Sequence, residues 1–241
     1  MNRNIDRRMF LSSLATMLAA SRALAQLKLP GLSGLGQKMG IGGGGDGDLV
    51  GQADHFEKYV TYGTKNLLNA LGAVATAIGH KDEAVHLAAA ADTLKAGSMS
   101  SDDFKRVNPL IINSSTKPED LRKAQGDEIS KARDQLGKSF IHFTIASLMD
   151  KKASTAAQSL LTAKPSTAEL ANRTFSGALA VAKIASDALP THVSTSAKWL
   201  NGLATYMRDN KVKIPTTEEA RKLAKAEGAP ANVVDDAFGP G

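Results

Sequence analysis

Four times along this chain a Ser, Thr or Asp is followed three residues later by Glu: Asp54 and Glu57, Thr116 and Glu119, Ser166 and Glu169, Thr216 and Glu219. At that spacing the first side chain accepts from an early backbone N–H of a helix while the glutamate reaches back to the cap. Ser100-Ser101-Asp102-Asp103 makes a further start of the same kind. Behind the first start, Phe56, Val60, Gly63, Leu67, Leu71, Val74 and Ile78 recur at intervals of three and four, the period of one helix face. No stretch alternates with the β-branched and aromatic enrichment that strands require, and Leu110-Ile111-Ile112 is too short to carry a sheet. No fixed-period repeat is present, which argues against a solenoid. The expectation is an all-α fold, a bundle of about five to seven helices.

The punctuation places these helices. The first opens at Asp54 and ends at Gly79; the second runs from about Lys81 to Lys95 and is closed by Gly97. The third is short and interrupted or kinked by Pro109. Pro118 sits in the tolerated first turn of the longest helix, from about Lys117 to Met149. Gly126 and Gly137 inside it each cost about 1 kcal/mol against Ala, so they mark a bend or a close helix contact. Asp150 caps a short helix reaching Thr162, Ser166 opens one reaching Leu189 before Pro190, and a further helix spans Thr191 to Arg208. Thr216 caps the last, which ends at Gly228. Small residues such as Ala171, Ser176, Gly177, Ala178, Ala182 and Ala185 are expected at helix interfaces, where they allow close approach and leave either thin contacts or a cavity.

Upstream of the helices, Asp6-Arg7-Arg8-Met9-Phe10-Leu11 resembles a bacterial twin-arginine export signal. The run from Leu11 to Ala20 is too short and too weakly apolar to span a membrane. Ala23-Leu24-Ala25 presents small residues where a signal peptidase needs them. The resemblance implies a cleaved signal over residues 1–25, a mature chain starting near Gln26 and a periplasmic location, and it says nothing about activity. Residues 26–52 are a Gly-rich flexible linker, 53–228 the helical domain and 229–241 a frayed tail. Gly42 to Asp48 has the flavour of a calcium-binding glycine repeat, but such repeats work only when stacked and this one occurs once. Leu27, Leu29, Leu32 and Leu35 form a weak docking strip.

Removing 25 of the 241 residues leaves 216, enough for one domain, or two small ones, burying roughly 70% of the unfolded surface. Of the net charge of +6, Arg3, Arg7, Arg8 and Arg22 against Asp6 account for +3, leaving +3 on the mature chain. Such a balance is no nucleic-acid footprint. The absence of Cys rules out disulfides and thiolate chemistry. After Ala25 no apolar run approaches twenty residues, so the mature chain is expected not to cross a membrane.

Chemistry-bearing patterns are few. Gly-x-Ser-x-Gly and a phosphate-cradling glycine loop are both missing. Glu83 and His86 share one helix face in a Glu-x-x-His pattern, half of a di-iron carboxylate site, without a second copy. His142, between Ile141 and Phe143, reads as a hydrogen-bonded core or cavity-edge residue. Phe56, Phe140, Phe143 and Phe175 fall on inner stripes, with Tyr59 and Tyr62 able to bring polar groups to the mouth of a cavity. The functional expectation is a periplasmic, non-enzymatic helical-bundle binding protein without a cofactor. It holds an apolar small molecule or lipid against Phe56, Tyr59, Phe140, His142, Phe143 and Phe175. The alternatives are a ferritin-like protein with a transition metal on Glu83 and His86, and a scaffold or accessory subunit of an envelope complex.

Overall fold

The computed structural model describes residues 48–94, 98–123, 127–226, 229, 231 and 234–235, and the regular structure among them is all helical. The signal, most of the linker, and the expected helix markers Gly97, Gly126 and Gly228 lie outside the described residues. In chain order the helices are α1 (Leu49–Ala77), α2 (Lys81–Thr93), α3 (Ser101–Ile112), α4 (Asp120–Lys123), α5 (Asp127–Thr162), α6 (Thr167–Ala171), α7 (Arg173–Asp209) and α8 (Thr217–Ala226). The fold is the expected all-α bundle.

Local signals set most starts. Ser100 and Asp103 close a reciprocal capping box on α3, and Ser166 and Glu169 do the same on α6. Thr216 accepts from the Glu219 N–H at 3.2 Å while Glu219 accepts from the Thr216 N–H at 2.7 Å, heading α8. Gly79, at φ 84°, makes the left-handed turn between α1 and α2 that glycine takes without steric cost.

Several expected boundaries move, some because burial outweighs a local stop. α1 begins upstream of Asp54: Asp48 caps it, accepting from the Gly51 N–H at 2.8 Å, and Leu49 and Val50 pack on the core. Asp54 lies inside the helix and pairs with Lys58 at 2.6 Å. Pro109 and Pro190 sit within α3 and α7 without ending them. Asp150 caps nothing; α5 continues through it to Thr162. The helix expected from Lys117 is helical over Asp120–Lys123 and from Asp127 onward, and residues 124–126 lie outside the described residues. Ser166 opens only the short α6, and Asn172 caps α7, accepting from Thr174 N–H at 2.9 Å and Phe175 N–H at 3.2 Å.

α5 is the central helix, packed between α1 and α7, which also touch each other. α2 leans on α1, α3 on α7 and α8 on α5. Phe56, Phe143 and Phe175 from these three helices are fully buried, as are Leu67, Leu71 and Leu203. Ala178, Ala182 and Ala185 are buried as expected, whereas Ala171, Ser176 and Gly177 face outward. Gly137 makes no close contact, since a Cβ there would meet nothing within 4 Å. Gly63 does: a Cβ would lie 2.0 Å from Asp150 Oδ1 and 3.1 Å from its backbone nitrogen.

Candidate functional site

The C-terminus of α7 builds a groove. Lys211 adopts φ 56°, its N–H bonding the Arg208 carbonyl at 3.2 Å while the Val212 N–H bonds the Met207 carbonyl at 2.8 Å. This pair of bonds is a Schellman cap, and it reverses the chain so that residues 212–216 run back beside α5. Val212 and Ile214 pack against the core there. Between this return segment, the start of α8 and the Phe140–Thr144 turn of α5 lies a half-open groove of about 500 Å³, within the range of small-ligand sites, roughly 300–1,000 Å³. Its walls are apolar: Phe140, Ile141, Val212, Ile214, Pro215 and Ala220.

Arg208, Lys211 and Lys213 bound the groove. The Lys213 ammonium is paired with Glu219 at 2.7 Å; together with Thr216 it holds the Glu219 carboxyl down to about 2. Arg208 and Lys211 enter no ion pair among the described residues. The Thr217 hydroxyl, also on the lining, has no hydrogen-bond partner among them.

Of the six residues expected on a cavity, Phe140 lines this groove. Phe143 stacks on Trp199 with ring centroids 5.6 Å apart and planes 10° from parallel, inside the core. Phe56 and Phe175 are fully buried core residues. Tyr59 is nearly buried and meets the His55 ring edge-on at 6.1 Å. His142 Nδ1 is 2.8 Å from Asn66 Oδ1, and burial, then Lys138 and Lys65, pushes its imidazole down to about 4. Four of the six therefore support the bundle interior or its edge, and His142 adds an α1–α5 tie.

Glu83 serves as a clasp. Its Oε1 accepts from Ser114 Oγ at 2.7 Å and the Ser115 N–H at 3.0 Å, and its Oε2 from Ser115 Oγ at 2.5 Å and Thr116 Oγ1 at 2.9 Å. Partial burial raises the carboxyl's pKa, but these donors outweigh it and hold it at about 2. The clasp fastens the segment after α3 to α2. His86 is exposed. Among the described residues no group of three or more His, Asp or Glu gathers as metal ligands do.

A second polar feature lies in the core where α1, α5 and α7 meet. Asp150 and His192 have no exposed surface and stand 3.8 Å apart, Oδ2 to Nδ1. That is too long for a hydrogen bond. Neither Asp150 oxygen has a partner among the described residues, nor do His192 Nδ1, Thr64 Oγ1, Ser147 Oγ and Ser196 Oγ. Ser147 precedes Asp150 by one turn, Ser196 follows His192 by one turn, and Thr64 follows Gly63. Burial pushes the Asp150 carboxyl well up and the His192 imidazole down to about 4, so both favour their neutral forms. His192 Nε2 lies 2.8 Å from Asn108 Oδ1. With that oxygen accepting, the proton is on Nε2 and Nδ1 faces the protonated acid as an acceptor. Ser, His and Asp are all present, yet they make no hydrolytic relay: neither ring nitrogen has a serine partner and the set is sealed from solvent.

Compared with known proteins, the chain matches no family model, no curated protein and no solved structure. Among the described residues no helix is long and apolar enough to cross a membrane.

The sequence marked Asp150 only as a helix cap and gave no role to Lys211 or His192. Asp150 falls in step with Phe143, Ser147 and Ser154 on α5, and that phase was the signal for its burial.

Proposed function

We propose that this protein is a non-enzymatic binding protein of the bacterial periplasm that holds one apolar small molecule or lipid chain in the groove between α5 and the α7–α8 return. The observation that carries the reading is the groove itself, apolar along Phe140, Ile141, Val212 and Ile214 and open to solvent at one side. Such a surface costs free energy when it faces water, about 25 cal/mol per Å², and an acyl or polyprenyl chain offsets that cost. The polar set at Asp150 and His192 is closed to substrates, so the groove has no acid, base or nucleophile within its reach from that quarter. The twin-arginine resemblance at Arg7 and Arg8 supports export.

Native mass spectrometry of the mature chain isolated from an envelope fraction tests this reading. The expected spectrum holds one ligand of lipid-like mass per chain, released on denaturation and lost in Ile214→Asp. A bare wild-type chain that also takes up no added amphiphile overturns it.

A further inference from the structure

The groove lining mixes two chemistries. Apolar side chains of α5 and the return segment share it with Arg208 and Lys211, neither of which has a carboxylate paired with it among the described residues. The third cation, Lys213, is already neutralised by Glu219 at 2.7 Å. Positive charge is thus left over on the lining of a largely apolar slot. The buried hydroxyl of Thr217, on the same lining, has no hydrogen-bond partner among the described residues and provides a donor for an oxygen ligand.

The backbone adds an independent observation. Lys211 is the one described non-glycine residue at positive φ, at 56°. Its place in the Schellman cap is one that glycine fills without steric cost and that a lysine fills only against strain. Backbone strain of this sort concentrates at ligand-contacting positions. A long cation at a glycine position gives the groove a charge that a glycine cap would not have.

We propose that the groove takes a single-chain amphiphile with an oxyanion head, carboxylate or phosphate, its chain lying along Phe140, Ile141 and Ile214 and its head meeting Lys211 and Arg208. This rests on the groove being a ligand site and adds the class of ligand. Charge-assisted hydrogen bonds from Lys and Arg to an oxyanion are about twice as strong as neutral ones, so the head discriminates among chains of equal length.

The test is calorimetric titration of the mature chain with dodecanoate, dodecyl phosphate, dodecanol and dodecyltrimethylammonium, each below its micellar concentration. At least one oxyanion is expected to bind about ten-fold or more tightly than dodecanol, with the cation weakest. Whichever oxyanion is tighter names the source, a fatty acid or a phosphorylated lipid. In Lys211→Gly the ratio of oxyanion to dodecanol affinity is expected to fall toward one while the thermal midpoint rises, so the loss is separable from misfolding. Equal binding of dodecanol and both oxyanions overturns the head-group assignment and leaves the groove reading standing. Binding of none of the four overturns the groove reading and this one with it. A ratio unchanged in Lys211→Gly removes Lys211 from the site.

Discussion

Replacing Asp150 by Asn keeps the shape of the side chain and removes its ability to ionise, which isolates what burial does to this carboxyl. In the folded chain its pKa is raised by desolvation, while in the unfolded chain it returns to about 3.9. A raised acid contributes stability that is fully present below pH 3.9 and is lost as pH rises toward the folded pKa. The loss is about 1.4 kcal/mol per pH unit across that window. His192 does the opposite: its folded pKa of about 4 lies below the ordinary histidine value of 6.5, so its contribution is present above pH 6.5 and lost as pH falls toward 4. Between pH 4 and 6.5 the two contributions run in opposite directions in the wild type for as long as Asp150 stays protonated in the fold. In Asp150→Asn only the histidine remains, and stability rises by about 3 kcal/mol over that interval. The assay is urea unfolding of both chains at several pH values from 4 to 7. The measured quantity is the difference between them, which removes every other titrating group. The expected difference grows in favour of the variant by about 1.4 kcal/mol per pH unit from pH 4 until the folded pKa is reached. A variant that becomes relatively less stable toward neutral pH refutes the reasoning and makes Asp150 the anionic partner of a charged His192.

Five further outcomes follow from particular contacts. Lys211→Gly relieves the left-handed strain at φ 56° and raises stability by about 1 kcal/mol, read as a thermal midpoint about 2–4 °C higher. Gly137→Ala adds a methyl where nothing lies within 4 Å and raises helix stability by about 0.5–1 kcal/mol; Gly63→Ala, driven into Asp150, lowers it by about 1–3 kcal/mol, both measured by denaturant midpoint. Glu83→Gln loses the charge on four hydrogen bonds and destabilises by about 1–2 kcal/mol at pH 7. Because the folded Glu83 carboxyl is held near 2, its contribution is present above about pH 4.5 and lost as pH falls toward 2, so wild type and variant converge in acid. Phe143→Ala removes the partner of Trp199 and costs about 3–5 kcal/mol, with a change in tryptophan fluorescence reporting the lost stacking.

Helix starts were legible at three of the local boxes but not at Asp54, which lies inside α1. Ser100, Ser166 and Thr216 each hold an N–H three residues on, a bond that needs no knowledge of the rest of the chain. The ends at Gly79, Thr162 and Arg208 were legible too, whereas the stops expected at Met149 and Leu189 were not, because they depend on what the next turn buries. Pro190 is itself buried in α7, beside Leu189 and Val193, so the packing of that turn outweighs one missing N–H. Asp150 read as a cap because a polar side chain between two helical patterns usually is one; only the packing of α1, with Gly63 closed onto it, keeps it inside α5. The groove was legible in one residue, Phe140, since its stripe follows from periodicity. The opposite wall comes from residues 212–217, far along the chain, and from a left-handed lysine that no glycine announces. Phe143 and Phe175 carry the same apolar signature as Phe140, and periodicity alone does not separate a core ring from one at a ligand surface.

The most direct test of the central claim is a methyl-labelled NMR titration of the mature chain with dodecanoate. The methyl resonances of Ile141, Val212, Ile214 and Ala220 are expected to shift together and saturate, while those of Leu67 and Val181 in the core stay still. Shifts centred on core methyls, or no shift at any of the four, would contradict that claim.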